Sequence, residues 1–204
     1  MVEFRFSMRG YVFQQGLKDL RRAFDATMQA VHTAHEKAKA DRLRDSKAIE
    51  AGQLSANVYE VEHFLYSRET LHKLLIEQAA AAIPVAINAY VVMLHHYWEK
   101  SVDHWRNATN HYKHTREYDW LESKGLTLDY EGLEFLRKAT NTIKHNNSEL
   151  HTDRPELFRM GTGNAVRPDY AGGLCLADSD FIRLLVAVQS SGFNVTTDFD
   201  FGPR

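Results

Sequence analysis

A helical pattern of apolar residues over positions 14–42 constrains the fold of this chain more than any other feature. Apolar side chains recur there at intervals of three and four residues, and no proline interrupts them. The positions concerned are Phe13, directly before this range, and within it Leu17, Leu20, Phe24, Met28, Val31 and Ala34. Since such spacing places them on one side of an α-helix, the sequence predicts a long amphipathic helix that packs against other helices.

The pattern continues into two further predicted helices. A charged link over 41–52, which contains a glycine, is expected to end the first helix and turn the chain back. Apolar spacing then predicts helices over 56–82 and 84–110, with Pro84 as the break or kink between them. The fold class is therefore mostly α, with long helices.

Short extended segments are predicted near both ends of the chain. Aromatic residues occupy alternate positions in the N-terminal lead-in, at Phe4 and Phe6 and again at Tyr11 and Phe13, a pattern typical of a strand. The tail over 194–204 is expected to pair with this lead-in. Between them, a last helix is predicted to begin at Asp178 or Ser179 and to end at Gln189.

Composition is that of one globular domain over residues 1–204. The net charge of −2 gives no general basic bias, so any contact with nucleic acid must be local. The single cysteine, Cys175, excludes an intrachain disulfide and fits a reducing cytoplasm. It lies between Leu174 and Leu176, which predicts a buried extended segment.

Neither export nor membrane insertion is expected. Residues 1–13 interleave charged and aromatic side chains and lack the continuous apolar core of a signal peptide. The longest uncharged apolar stretch, residues 79–94, is shorter than the roughly twenty residues that span a bilayer. We therefore predict a cytoplasmic protein.

The region over 131–158 carries the residues with the clearest chemistry. On a helix, the apolar side over 133–143 lies opposite a narrow polar stripe of Glu134, Lys138, Asn141 and His145. Arg137 and Lys144 flank that stripe. An imidazole can move protons near neutral pH, while cations and amides can hold a phosphate. The alternative is an ordinary solvated helix face.

Two short runs in this region resemble a known family. The runs are Leu-Arg-Lys-Ala-Thr-Asn-Thr-Ile-Lys-His-Asn over 136–146 and Pro-Glu-Leu-Phe over 155–158. They resemble the last core helix of HEPN domains, all-helical bacterial proteins of which many are RNA-cutting toxins or defence effectors. The family motif places an arginine at 138, 139 or 140, where this chain has Lys138, Ala139 and Thr140.

The resemblance implies a helical bundle of long antiparallel helices that dimerises with the motif helices facing each other. It implies metal-independent RNA cleavage without a cofactor, with an antitoxin or defence protein as a further partner. The catalytic residues implied are His145, Lys138, Asn141, Lys144 and Glu99, and the RNA-binding residues are Arg137 and Asn146. The alternative is an inactive dimeric module that binds RNA, a nucleotide or a protein.

Glu99 enters this set because it lies on the helix expected beside the motif helix, where it could orient His145 or pair with Lys138. His95, Glu99 and Asp103 are each four residues apart, which also permits a metal site. No matching Glu-x-x-His motif accompanies them, so no metal is predicted. The basic and aromatic run over 111–116 could stack on single-stranded RNA or form a packed loop edge.

Overall fold

In the computed structural model, α-helices make up most of the part of the chain that is described. That part comprises residues 7–56, 59–61, 64–106, 114–159 and 169–195. Its helices are α1 (Met8–Glu50), α2 (Arg68–Arg106), α3 (His114–Ser123), α4 (Tyr130–His145), α5 (Glu149–Asp153), α6 (Tyr170–Gly173) and α7 (Asp178–Ser191). A 3-10 turn covers Pro155–Leu157, and two short strands, β1 (Tyr59–Val61) and β2 (Phe64–Tyr66), form a hairpin. The mostly helical prediction is confirmed.

Helix α1 is longer at both ends than the sequence predicted. It begins at Met8, so the prediction of an extended segment at Tyr11 and Phe13 is wrong, and Phe4 and Phe6 lie outside the described residues. The predicted link over 41–52 is also helical as far as Glu50. Its charges form pairs along the helix surface, and the helix ends only near Gly52, which has a φ of +68°.

Helix α2 is one element where two were predicted. It continues through Pro84. The four residues directly before Ile83 are alanines, and alanine has the highest helix propensity of all residue types. The start predicted at residue 56 is wrong, because β1 and β2 occupy the beginning of that range. Their aromatic and β-branched residues fit a hairpin better than a helix.

The chain divides into two compact units, one of Met1–Phe24 with Ile87–Arg204 and one of Asp25–Ala86. The prediction of a single domain over 1–204 stays a prediction. In the first unit α1 and α2 run antiparallel, since the Phe13 ring lies 4.9 Å from Trp105 and the Phe24 ring 5.4 Å from Tyr90.

Packing in the first unit centres on α4, which contacts α5, α6 and α7. Gly132 allows the close approach of α7, because a Cβ there would lie 2.3 Å from the Cβ of Ala187. Leu136 of α4 and Leu184 of α7 are fully buried. The predicted last helix is confirmed, whereas α3 was not predicted.

Backbone contacts bear on two of the predicted extended segments. The Ser7 amide donates to the Val195 carbonyl at 2.8 Å, so the lead-in and the start of the tail are in contact, but Val195 lies in a turn and the predicted pairing of the two as strands stays a prediction. Residues 196–204 lie outside the described part. The Cys175 amide donates to the Leu157 carbonyl at 2.8 Å, so this cysteine lies in an extended segment as predicted, although it is only half-buried.

Helix α2 is the one helix of the described ranges that is long and apolar enough to cross a membrane. Little of its apolar stretch is buried, as Val85 at 68% exposure and Met93 at 50% illustrate. A single helix of this kind is a weak indication, because core helices of other proteins have the same length and composition.

Candidate functional site

Both ends of α4 are fixed, and they set the orientation of its polar stripe. At the start, the Asp129 carboxylate accepts a hydrogen bond from the Gly132 amide at 2.9 Å. At the end, Asn146 adopts a left-handed conformation with a φ of 53°, and its amide donates to the Thr142 carbonyl. Asparagine tolerates this conformation better than most residues, so it ends the helix cleanly.

The stripe lies on the less buried side of α4, as the sequence predicted. Leu133, Leu136 and Thr140 are buried on the opposite side. From here on the stripe includes its two flanking residues, Arg137 and Lys144. Along it burial decreases toward the C-terminus: the residues at 134, 137, 138 and 141 are half-buried, whereas Lys144 and His145 are exposed. The two ends of the stripe therefore present different surroundings.

Arg137 is held by two carboxylates in the first half of the stripe. Its guanidinium donates to Glu134 at 2.9 and 2.6 Å and to Glu149 of α5 at 2.9 Å. The hydrogen bonds to Glu134 and Glu149 raise the pKa of Arg137, and Arg137 in turn lowers the pKa of Glu149. The Arg137 guanidinium, which was predicted to bind RNA, thus binds two carboxylates of the same chain.

Lys138 is neutralised in the same way. Its ammonium donates to Asp153 of α5 and lies 3.6 Å from Glu134, and the bond to Asp153 raises the pKa of Lys138. A cavity of about 210 Å³ opens beside it. The residues lining this cavity are Glu131, Glu134, Phe135, Lys138, Leu150, Asp153 and Arg154. With three carboxylates against two cations, the cavity does not favour a phosphate.

The second half of the stripe has a different character. In the part of the chain that the structure describes, no hydrogen bond or ion pair is made by the side chains of Asn141, Lys144 and His145. We call these three residues the open patch. The carbonyl groups at a helix C-terminus favour nearby cations, which suits Lys144 and His145. The open patch combines an amide, an ammonium and an imidazole at the surface.

Two other predicted site residues have different surroundings from those expected. The Asn146 side-chain oxygen accepts a hydrogen bond from the Ala171 amide at 3.0 Å, so this residue joins α4 to α6. Glu99 lies 3.1 Å from Nδ1 of His96 and 3.4 Å from Nδ1 of His95. The contact expected between Glu99 and His145 or Lys138 is not formed, since Lys138 binds Asp153 instead.

The two acids of α5 that contact the first half of the stripe were not predicted from the sequence. Glu149 and Asp153 are four residues apart and directly follow the helix stop at Asn146, so they share one face of the next helical turn. That spacing was the available signal. The side chains of the basic and aromatic run over 111–116 lie outside the described part, and its role in stacking stays a prediction.

Comparison with protein-family models, with curated proteins and with solved structures finds no match to this chain. The likeness to HEPN domains therefore rests on the short runs over 136–146 and 155–158. The candidate functions are therefore judged by which side chains along α4 have acidic partners and which do not.

Proposed function

We propose that this protein binds RNA through phosphate contacts made by the open patch at the C-terminal end of α4. One observation carries the proposal: Lys144 and His145 are exposed cations or potential cations without an acidic partner in the described ranges, unlike Arg137 and Lys138. The resemblance to HEPN domains supplies RNA as the class of ligand.

The chemistry of the open patch fits a phosphate oxygen. An ammonium provides a point charge, the Asn141 amide provides two donors, and an imidazole provides a third kind of donor. Because the whole chain carries a net charge of −2, the contact is local and involves few phosphates. We therefore expect modest affinity that decreases with salt concentration.

Metal-independent RNA cleavage is the second candidate, and the exposure of His145 favours it. An imidazole without an intramolecular partner can take a proton from a ribose 2′-hydroxyl. The 2′-oxygen then bonds to the adjacent phosphorus while the bond from phosphorus to the 5′-oxygen of the next nucleotide breaks. The products are a 2′,3′-cyclic phosphate and a 5′-hydroxyl end, which takes its proton from the imidazolium or from water. One chain supplies one such imidazole with Lys144 beside it. A dimer with a two-fold axis would bring two such imidazoles together, and this is the dimer that the HEPN resemblance implies.

Binding is tested with a fluorescently labelled single-stranded RNA, whose anisotropy is measured against protein concentration at several salt concentrations. We expect the double variant Lys144→Gln with His145→Gln to weaken binding at low salt by roughly tenfold, since each lost phosphate contact removes part of the electrostatic term. Lys18→Gln is the matched control, because Lys18 is an exposed lysine on α1. Equal affinity of the double variant and wild type would overturn the proposal.

Cleavage is tested on total bacterial RNA in excess EDTA, with analysis of the product ends. Cleavage that persists in EDTA and disappears with His145→Ala supports the second candidate. In that case Asp153→Asn, which removes one of the two acidic partners of Lys138, should increase the rate. RNA binding without cleavage by wild type would leave the binding module as the function.

A further inference from the structure

A cluster of three potential metal ligands lies on α2, apart from the residues of the open patch. His95, His96 and Glu99 each offer one ligand atom, and these atoms all lie within 4.8 Å of one another. One carboxylate oxygen of Glu99 is shared between the two rings, at 3.4 Å from Nδ1 of His95 and 3.1 Å from Nδ1 of His96. Each of the three side chains therefore faces the same small volume.

The spacing of these atoms fits a tetrahedral metal ion. Zinc binds imidazole nitrogen and carboxylate oxygen at about 2.0–2.1 Å, so neighbouring ligand atoms in a tetrahedron lie roughly 3.3 Å apart. The two distances from the Glu99 oxygen, 3.4 and 3.1 Å, are close to that edge length. The ligand atoms of the two imidazoles also lie within 4.8 Å of each other.

The surroundings of the cluster leave one side open. His95 is buried at 6% exposure, whereas the side chains of His96 and Glu99 are 44% and 26% exposed. Leu94 and Trp98, which flank the cluster on α2, are fully buried and hold this part of the helix in place. Three protein ligands on a fixed helix with one side toward solvent leave the fourth position to water.

We propose that His95, His96 and Glu99 bind a divalent transition-metal ion of the zinc class. Two neutral imidazoles and one carboxylate form a donor set that suits zinc, cobalt or nickel better than magnesium or calcium, which prefer oxygen ligands. The sequence pointed to His95, Glu99 and Asp103 as one helix face. The cluster instead replaces Asp103 with the neighbouring His96.

The test is titration of the purified full chain, stripped with EDTA and dialysed, with Co²⁺ as a spectroscopic probe. We expect one Co²⁺ per chain with the intense visible absorption of a tetrahedral site, and displacement of Co²⁺ by Zn²⁺. His96→Gln and Glu99→Gln should each reduce the affinity at least about tenfold, as loss of supporting groups around metal sites already does. Both residues are partly exposed, so the variants should fold.

His104→Gln is the matched control, because His104 is an exposed histidine on the same helix outside the cluster. It should bind Co²⁺ like wild type. Thermal unfolding followed by circular dichroism verifies that each variant is folded before titration. Absence of tetrahedral absorption in wild type, or wild-type affinity in both ligand variants, would overturn the proposal. The proposal would also be overturned if His104→Gln lost as much Co²⁺ affinity as the two ligand variants.

Discussion

The two halves of the polar stripe on α4 have similar sequences but different surroundings. The first half contains Arg137 and Lys138, and the second contains Lys144 and His145, seven residues further along the helix. Both cations of the first half bind carboxylates of the same chain, whereas the second half has no such partner among the described residues. A shared helix pattern therefore does not imply a shared role.

The difference arises from the element that follows α4. After the left-handed residue Asn146, the chain forms α5, and its Glu149 and Asp153 contact Arg137 and Lys138. These acids give the first half a structural role. Since α5 contacts the earlier turns of α4 in this way, the side chains of Lys144 and His145 in the last turn have no acidic partner among the described residues.

Leu136→Ala should have the largest effect, because Leu136 supports both halves from the buried side of α4. It is fully buried, and removal of its side chain leaves a cavity that should lower the free energy of unfolding by about 2–5 kcal/mol. Urea denaturation measures the change. Ile143→Ala, at a half-buried position, is the control and should lose less. A loss below about 1 kcal/mol for Leu136→Ala would contradict the central position of α4.

Asn146→Ala should have the next largest effect, and it separates a structural role from phosphate binding. The substitution places alanine in a left-handed conformation and removes the bond from the Ala171 amide, so we expect a loss of about 1–2 kcal/mol. Urea denaturation again measures it. Asn146→Gly, which tolerates the conformation, should lose less. If both variants are as stable as wild type yet bind RNA weakly, Asn146 belongs with the open patch instead.

Arg137→Gln should reduce stability by about 1 kcal/mol, because Arg137 is half-buried and bound to two carboxylates. The effect should depend on pH. Arg137 lowers the pKa of Glu149, so the stabilising contribution of Glu149 is present above its ordinary pKa of about 4.3 and is lost as pH falls through the lowered value. Stability of wild type and variant should therefore converge in acid.

A double-mutant cycle with Glu149→Gln provides the control for Arg137→Gln. The second substitution should have little additional effect once Arg137 is gone, because the two side chains act as a pair. Additive losses, or a stability difference that is constant with pH, would indicate that packing of the arginine stem dominates. RNA affinity should stay close to that of wild type in both variants.

Features that depend on local spacing are predictable from the sequence. The polar stripe and the last helix follow from periodicity and from residue preferences at helix ends, and the structure contains both. The continuity of α2 through Pro84 did not follow, because the helix propensity of the neighbouring alanines outweighs the local preference against proline. The hairpin of β1 and β2 was missed because short apolar runs fit a helix or a strand.

The candidate site was predicted less well, because its properties depend on which side chains meet in space. Spacing identified Lys138, but the contact with Asp153 requires the chain to fold back after α4. Glu99 was placed correctly on a helix with histidines, yet its partners proved to be His95 and His96. A periodic pattern gives the face of a helix on which a residue lies and leaves open which element covers that face.

Lys144→Gln should have the smallest effect on stability and the clearest effect on binding. Lys144 is exposed and lacks a partner in the described ranges, so the free energy of unfolding should change by less than about 0.5 kcal/mol. RNA affinity should fall, and the slope of log affinity against log salt should decrease in magnitude by roughly one for the phosphate contact that is lost.

Lys138→Gln is the matched comparison for Lys144→Gln, because it removes one positive charge from the first half of the stripe instead of the second. It should reduce stability, because Asp153 loses its partner, while the salt dependence of RNA binding stays unchanged. If Lys138→Gln changes the salt slope as much as Lys144→Gln does, the acids of α5 do not exclude phosphate, and the two halves of α4 bind RNA together. In that case Asp153 must release Lys138 when RNA binds, and Asp153→Asn should raise the affinity.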